Sequence, residues 1–212
     1  MPPGMDAITA TDIRQRFANT RMPRDPLAEV RTPPRWPRRL QDMISSDLAA
    51  AAVLIPIICR DHALTVLLTE RSQHLKQHAG QISFPGGRMD PGDSDIRATA
   101  LRETHEEVGI EAGDIEIVGY LPPNPTVTGY AVTPVVALVN LQRELVIDPG
   151  EVQSAFEVPL PFLLDDGNLH HSEREWEGIV LPMAEFNYGR HRIWGATAGM
   201  LMEFRSFVLN SK

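Results

Sequence analysis

A Pro-Gly-Gly turn at 85–87 and a glycine at 109 bracket a segment that ends in a dense acidic run, Arg102-Glu103-Thr104-His105-Glu106-Glu107-Val108. The pattern predicts a helix over 94–108. Asp93, Ser94 or Asp95 can cap its first turn, Ala98, Ala100 and Leu101 favour it, and Gly109 stands where a C′ glycine ends a helix. At about 100° per residue, Glu103, Glu106 and Glu107 share one arc as i, i+3 and i+4 neighbours. Leu101, Thr104 and Val108 project from the other side and are the expected core contacts.

On local grounds this acidic face is unfavourable. Like charges at i, i+4 cost a few tenths of a kcal/mol, and each carboxylate in the last turn opposes the helix dipole by ~0.3–1 kcal/mol. A divalent cation reverses both signs, because Mg²⁺ takes oxygen ligands and combines one or two carboxylates with water and substrate phosphate. Without a cation the same run is a solvated helix face. Gly86 and Gly87 favour the cation, since glycines let a backbone turn tightly and approach a ligand closely. An ordinary loop before a helix is the alternative.

The stretch 84–110 resembles the Nudix box of the Nudix hydrolases, G-x5-E-x7-R-E-U-x-E-E-x-G-U, where U is bulky and aliphatic. Arg102, Glu103, Glu106, Glu107, Gly109 and Ile110 match in register. Gly87 and Arg102 have one more residue between them than the pattern, Ser94 (between Asp93 and Asp95) replaces the early glutamate, and Thr104 takes an aliphatic position. The coenzyme A diphosphatases, a subgroup of the family, are similar in having the longer spacing. They carry L-L-T-x-R-[SA]-x3-R-x3-G-x3-F-P-G-G just upstream. Here Leu67-Leu68-Thr69-Glu70-Arg71-Ser72, Gly80 and Phe84-Pro85-Gly86-Gly87 match, and Lys76 replaces an arginine. The two motifs span 67–110, about a fifth of the chain.

The resemblance implies an α+β Nudix fold, a mixed β-sheet sandwiched between α-helices, and a metal-dependent pyrophosphohydrolase. It implies coenzyme A or a derivative as the small-molecule substrate, cut to 3′,5′-ADP and 4′-phosphopantetheine. Another nucleoside diphosphate derivative such as ADP-ribose or NADH stays open, as does a non-catalytic Nudix-fold nucleotide sensor. Intact Glu103, Glu106 and Glu107 argue against the sensor. Glu103 and Glu107 are the expected main ligands, with Glu106 and the Gly87 carbonyl as further contacts, and Mg²⁺ or Mn²⁺ suits such an all-oxygen site. Arg102 is placed to orient the neighbouring carboxylates. Glu106 is the candidate to take a proton from water.

The loop 70–83 holds Arg71, His74, Lys76 and His78 against one acid, Glu70. It is either solvated or a phosphate receptor. Arg71, Lys76, Gly86, Gly87 and Arg88 are the substrate-binding candidates, with Arg71 and Lys76 proposed for the 3′-phosphate of coenzyme A. Internal pairing of Arg71 with a carboxylate is the alternative.

Elsewhere, residues 11–18 predict a short amphipathic helix capped by Thr11. Residues 20–37 interleave five prolines with Arg21, Arg24, Arg31 and Arg35, which excludes a long helix or central strand. This segment is an arm over the surface, or one reaching toward phosphate or a partner subunit. Strands are expected over 50–59 and 63–69, joined at Asp61-His62, then over 114–121 and 130–139 around a rigid proline loop. A short strand over 145–147, a turn or helix over 158–164, a strand pair over 176–181 and 186–193, and a helix over 197–207 complete the chain. The expected division is 1–45 as helix and arm and 46–212 as a Nudix hydrolase domain.

With 212 residues and 42% hydrophobic content, the chain can bury one sizeable core. A net charge of −8 argues against a general nucleic-acid partner. The single Cys59 lies in an apolar run and excludes an internal disulfide. The seven histidines show no zinc-binding spacing. No apolar stretch reaches the ~20 residues of a membrane span and no signal-peptide core is present, so no membrane and a cytoplasmic location are expected. A homodimer stays open.

Overall fold

The computed structural model describes residues 8–30, 32, 36–44, 48–60, 63–75, 78–176 and 178–210. In chain order come α1 (Ala10–Phe17), α2 (Pro26–Glu29), α3 (Arg38–Ile44), β1 (Ala49–Arg60), β2 (Ala63–Arg71), β3 (Ile82–Ser83), β4 (Gly86–Arg88) and α4 (Ile96–Val108). There follow β5 (Ile115–Tyr120), β6 (Asn124–Pro125), β7 (Tyr130–Val139), β8 (Val152–Pro159), α5 (Leu160–Leu164), β9 (Leu169–Trp176), β10 (Ile179–Tyr188), β11 (His191–Trp194) and α6 (Gly195–Asn210). The turn expected at Asp61-His62 lies outside the described residues, as do Arg31, Pro33, Pro34, Arg35 and Lys76.

β1 and β7 run parallel at the centre of the sheet, from Ala49 opposite Tyr130 to Ile58 opposite Val139. Every residue of β7 after Tyr130 is buried, because a strand covered on both faces needs apolar side chains in both directions. The other pairings are antiparallel: β2 returns along β1, β3 and β8 flank β2, β4 joins the start of β1, and β5 and β6 flank β7. The result is a mixed sheet.

The two-residue period of the strands divides its apolar side chains between two helical layers. Ala52, Leu54, Val135 and Ala137 face Ile96 and Ala100 of α4, and Ile58 and Val139 face Val108. Ile55, Ile57, Val136 and Leu138 face α1 and α6, where Phe17 stacks on Phe204 and Phe207 at centroid distances of 5.8 and 5.5 Å. Ile13 and Phe17 are fully buried, each burial contributing about 1.5–3 kcal/mol, so α1 packs into the core. A mixed sheet between helices is the α+β arrangement expected.

Four local readings change. Thr9, not Thr11, caps α1: its hydroxyl accepts the Asp12 N–H at 3.2 Å, and the Asp12 carboxylate accepts the Thr9 N–H at 2.8 Å. Residues 145–147 form no strand, because the Val146 and Asp148 N–H groups donate to the Val108 and Glu107 carbonyls, both at 3.1 Å. Those are helix-end carbonyls with no partner inside α4. The segment before 158 is strand β8, and the helix starts only at Leu160. The expected strand at 176–181 spans the connection between β9 and β10, which with β11 make a three-stranded meander.

α4 is held at both ends. Asp95 caps it by accepting the Ala98 N–H at 2.8 Å, and Gly109 leaves it at φ +70°, where L side chains are disfavoured. The Asp93 carboxylate accepts from Arg102 Nε and Nη2 at 3.0 and 2.9 Å, from Thr99 Oγ1 at 3.0 Å and from the Asp90 N–H at 2.9 Å, while the Asp93 N–H donates to the Asp90 carbonyl at 3.0 Å. The Arg102 guanidinium holds this carboxyl well below the usual carboxylate range. A depressed value means stability present above the unfolded pKa and lost as pH falls toward the folded one. Asp93→Asn is therefore expected to lower stability by about 1–3 kcal/mol at pH 7, read from urea midpoints. The gap to wild type should narrow below about pH 4; a gap independent of pH would contradict the pairing.

Candidate metal centre and substrate cavity

β4 lies close against β1 and α4 because its first two residues, Gly86 and Gly87, lack side chains. A Cβ on Gly86, whose φ is +153°, would stand 2.3 Å from the Ala52 carbonyl oxygen and 2.6 Å from the Val53 Cα. A Cβ on Gly87 would stand 2.5 Å from the Glu103 carboxylate. The first clash is with backbone and the second with a movable side chain.

Glu103, Glu107 and Glu151 each bring a carboxylate oxygen within 4.8 Å of the others. Glu107 is only 1% exposed, and its Oε2 has no hydrogen-bond partner among the described residues. Arg71 Nη1 stands 3.6 Å from the other oxygen, an ion pair too long for a good hydrogen bond. Burial pushes the Glu107 carboxyl up to about 8; Arg71 opposes this, while Glu103 and Glu151 add to it. Burial likewise raises Glu103, against the pull of Arg102. An orphaned buried oxygen among three converging carboxylates fits a hard divalent cation.

The acidic arc does not face solvent as a unit. Glu107 joins the buried stripe of Ile96, Thr99, Ala100, Thr104 and Val108, and Leu101 is only half-buried. The expectation that Glu107 points away from the core is therefore corrected. Spacings of three and four set Glu103 and Glu107 beside Ala100, Thr104 and Val108, on the side that β4 and β8 cover. Glu106 points outward at 55% exposure. Arg102 Nη1 donates to Glu103 Oε1 at 2.8 Å and to Glu106 Oε2 at 3.0 Å, and its Nη2 reaches the Arg88 carbonyl at 3.2 Å.

Sequence reasoning missed Glu151. It follows the Asp148-Pro149-Gly150 turn, in which Asp148 accepts the Gly150 N–H on its side chain at 2.8 Å and the Glu151 N–H on its carbonyl at 3.1 Å. The Ser72 N–H then fixes the Glu151 carbonyl at 2.8 Å. The signal was an acid directly after a rigid turn, with no helical spacing to tie it to the others.

A cavity of about 710 Å³ opens beside the carboxylates, within the range of small-molecule sites. Its wall includes Arg71, Gly86, Gly87, Arg88, Glu103 and Glu151, and also Trp36, Arg174 and Trp194. Arg102 and Glu106 are not part of that wall. Among the described residues, no helix is long and apolar enough to cross a membrane.

The NUDIX domain family profile matches residues 48–181. An uncharacterized Nudix hydrolase NudL from Photorhabdus laumondii subsp. laumondii is 42% identical over 172 residues, which is 81% of this chain and 89% of that protein. A protein of the same name from Yersinia pestis (strain Pestoides F) is 44% identical over 151 residues, 71% of this chain and 75% of that one. A MutT/nudix family protein from Enterococcus faecalis shares the fold, with a TM-score of 0.51 at 18% identity over 77% of this chain and 63% of that chain. Nudix hydrolases act on small-molecule nucleotide substrates and generally use divalent metal ions. The match extends from the first central strand through the acidic helix into the terminal meander, and the chain belongs to the Nudix hydrolase family as a pyrophosphohydrolase.

Proposed function

We propose that this hydrolase cleaves the diphosphate of coenzyme A or its derivatives, releasing 3′,5′-ADP and 4′-phosphopantetheine. The observation that carries the reading is the position of Arg71. It belongs to the upstream motif resembling that of coenzyme A diphosphatases, and it stands 3.6 Å from Glu107 in the carboxylate cluster. This contact between a residue of that motif and the acidic helix supports reading the two as parts of one site. With its charge beside the carboxylates, Arg71 would meet the diphosphate rather than the 3′-phosphate for which the sequence nominated it.

Glu103 and Glu107 would hold Mg²⁺ or Mn²⁺, with Glu151 and the Gly87 carbonyl as further oxygen donors. Such a cation, when bound, neutralises charge on the diphosphate oxygens. Arg102 keeps Glu103 oriented through its hydrogen bond and is itself fixed by Asp93. Arg88 borders the cavity beside Gly87, where it would serve as a phosphate contact. Water attacks phosphorus, one P–O bond of the diphosphate breaks, and a carboxylate accepts the water proton. Of the two exposed carboxylates near the cluster, Glu151 lines the cavity and Glu106 does not. We therefore assign the proton to Glu151 and give Glu106 the task of holding Arg102.

Three measurements test this. Glu107→Gln should lower turnover roughly 10²–10³-fold at saturating Mg²⁺, the scale of losing a main electrostatic element, whereas near-normal turnover would remove Glu107 from the ligand set. Gly87→Ala should lose activity while melting close to wild type, and Gly86→Ala should lose folded protein, because only the Gly86 clash is with backbone. A panel of coenzyme A, ADP-ribose and NADH with Mg²⁺ and with Mn²⁺ should give 3′,5′-ADP as the dominant product. Preference for ADP-ribose or NADH would transfer the site to another nucleoside diphosphate derivative.

A further inference from the structure

We propose that Arg174, laid on the ring of Trp194, receives a second phosphate group of the substrate, a phosphate monoester remote from the diphosphate that is cut. The proposal rests on the reading of a coenzyme A-like substrate and adds where its other anionic group is read.

Strand register places the two residues together. Arg174 of β9 stands opposite Leu181 of β10, and Trp194 of β11 stands opposite Glu185. Paired residues share a sheet face, as do alternate residues of one strand, so Arg174, Leu181, Met183, Glu185 and Trp194 present a common face. The other face, with Phe186 and Ile193, is buried in the core. The Arg174 guanidinium carbon lies 4.6 Å from the Trp194 ring centroid.

Of the arginines lining the cavity, Arg71 is paired with Glu107, whereas Arg88 and Arg174 have no carboxylate within ion-pair distance among the described residues; Arg88 stands beside Gly87 at the carboxylates, which leaves Arg174 for a further anionic group. Arg192, on the same face, donates to Glu185 at 2.9 Å. Arg102 is tied to Asp93, Glu103 and Glu106, and Arg71 is paired with Glu107. Arg174 has no carboxylate within ion-pair distance among the described residues, yet it lines the same cavity as Glu103 and Glu151. A guanidinium resting on an indole keeps its fork of donors free at the edge, the geometry that suits bidentate phosphate binding. One cavity therefore joins a carboxylate cluster suited to a cation and diphosphate with a free cation suited to a further phosphate. A ribose bearing a phosphate monoester, attached to the diphosphate, matches that layout.

The bland alternative is a surface clamp that only steadies the meander. Wild type, Arg174→Gln and Arg174→Lys should be assayed on coenzyme A and on dephospho-coenzyme A with Mg²⁺, with melting curves as a check on folding. The expected result for Arg174→Gln is a loss of kcat/KM on coenzyme A of roughly 10- to 100-fold, in line with a charge-assisted hydrogen bond, and little change on dephospho-coenzyme A. Arg174→Lys should recover part of the loss. Equal losses on both substrates, or none on either, would overturn the assignment. Calorimetry with 3′,5′-ADP and 5′-AMP supplies an arm that does not depend on coenzyme A being cleaved. Wild type should bind 3′,5′-ADP more tightly and Arg174→Gln should erase the difference; equal affinities in wild type would overturn the proposal, whichever diphosphate the enzyme hydrolyses.

Discussion

The Glu107 carboxylate lies in the interior, 1% exposed, with one oxygen lacking a hydrogen bond and two further carboxylates converging on it. Burying a charge is unfavourable by several kcal/mol unless it is paired and hydrogen-bonded, and the ion pair to Arg71 at 3.6 Å is a partial answer. Two things can relieve the site: a proton, which is the direction in which burial pushes Glu107, or a cation shared with Glu103 and Glu151. Much of the surrounding structure serves that shared geometry. Gly86 and Gly87 bring β4 close to α4, and Arg102 restrains Glu103 while Asp93 restrains Arg102.

The loop after β7 links helix termination to site assembly. Its N–H groups at Val146 and Asp148 satisfy the last carbonyls of α4, which would otherwise be left without partners. The same backbone then turns through Asp148-Pro149-Gly150 and sets Glu151 beside Glu107. A single connection thus ends the helix and adds a carboxylate to the cluster. The sheet beneath fixes the register, since Ala52 opposite Gly87 and Thr133 makes β1 the common support of β4 and β7.

Where local chemistry and tertiary context agree, the sequence was readable. Helix α4 was expected over 94–108 with Asp93, Ser94 or Asp95 as its cap, and it runs Ile96–Val108 between Asp95 and Gly109; the apolar runs of β1, β2 and β7 carried enough pattern to be placed. The failures have physical causes. β9, LHHSEREW, shows no apolar alternation because its strand is defined by pairing with β10 rather than by a buried face. Residues 145–147 carry strand-like side chains, but their backbone donors are claimed by α4. Glu107 was assigned outward because a helical wheel ranks carboxylates as solvent-facing, whereas the wheel position itself is buried. Glu151 was invisible because its partners Glu103 and Glu107 lie far back along the chain, on a helix that only the fold brings beside it.

The central claim is that Glu107 is buried in order to share a divalent cation. It is tested most directly by thermal melting of metal-stripped protein at pH 8 as Mg²⁺ or Mn²⁺ is added. Binding to the folded state alone raises stability by RT ln(1 + [L]/Kd), about 2.7 kcal/mol at a hundredfold excess over Kd. Wild type should show a melting temperature that climbs with metal concentration, while Glu107→Gln should fold as well without metal and show no climb. An equal metal-dependent rise in both proteins, or none in wild type, would contradict the account.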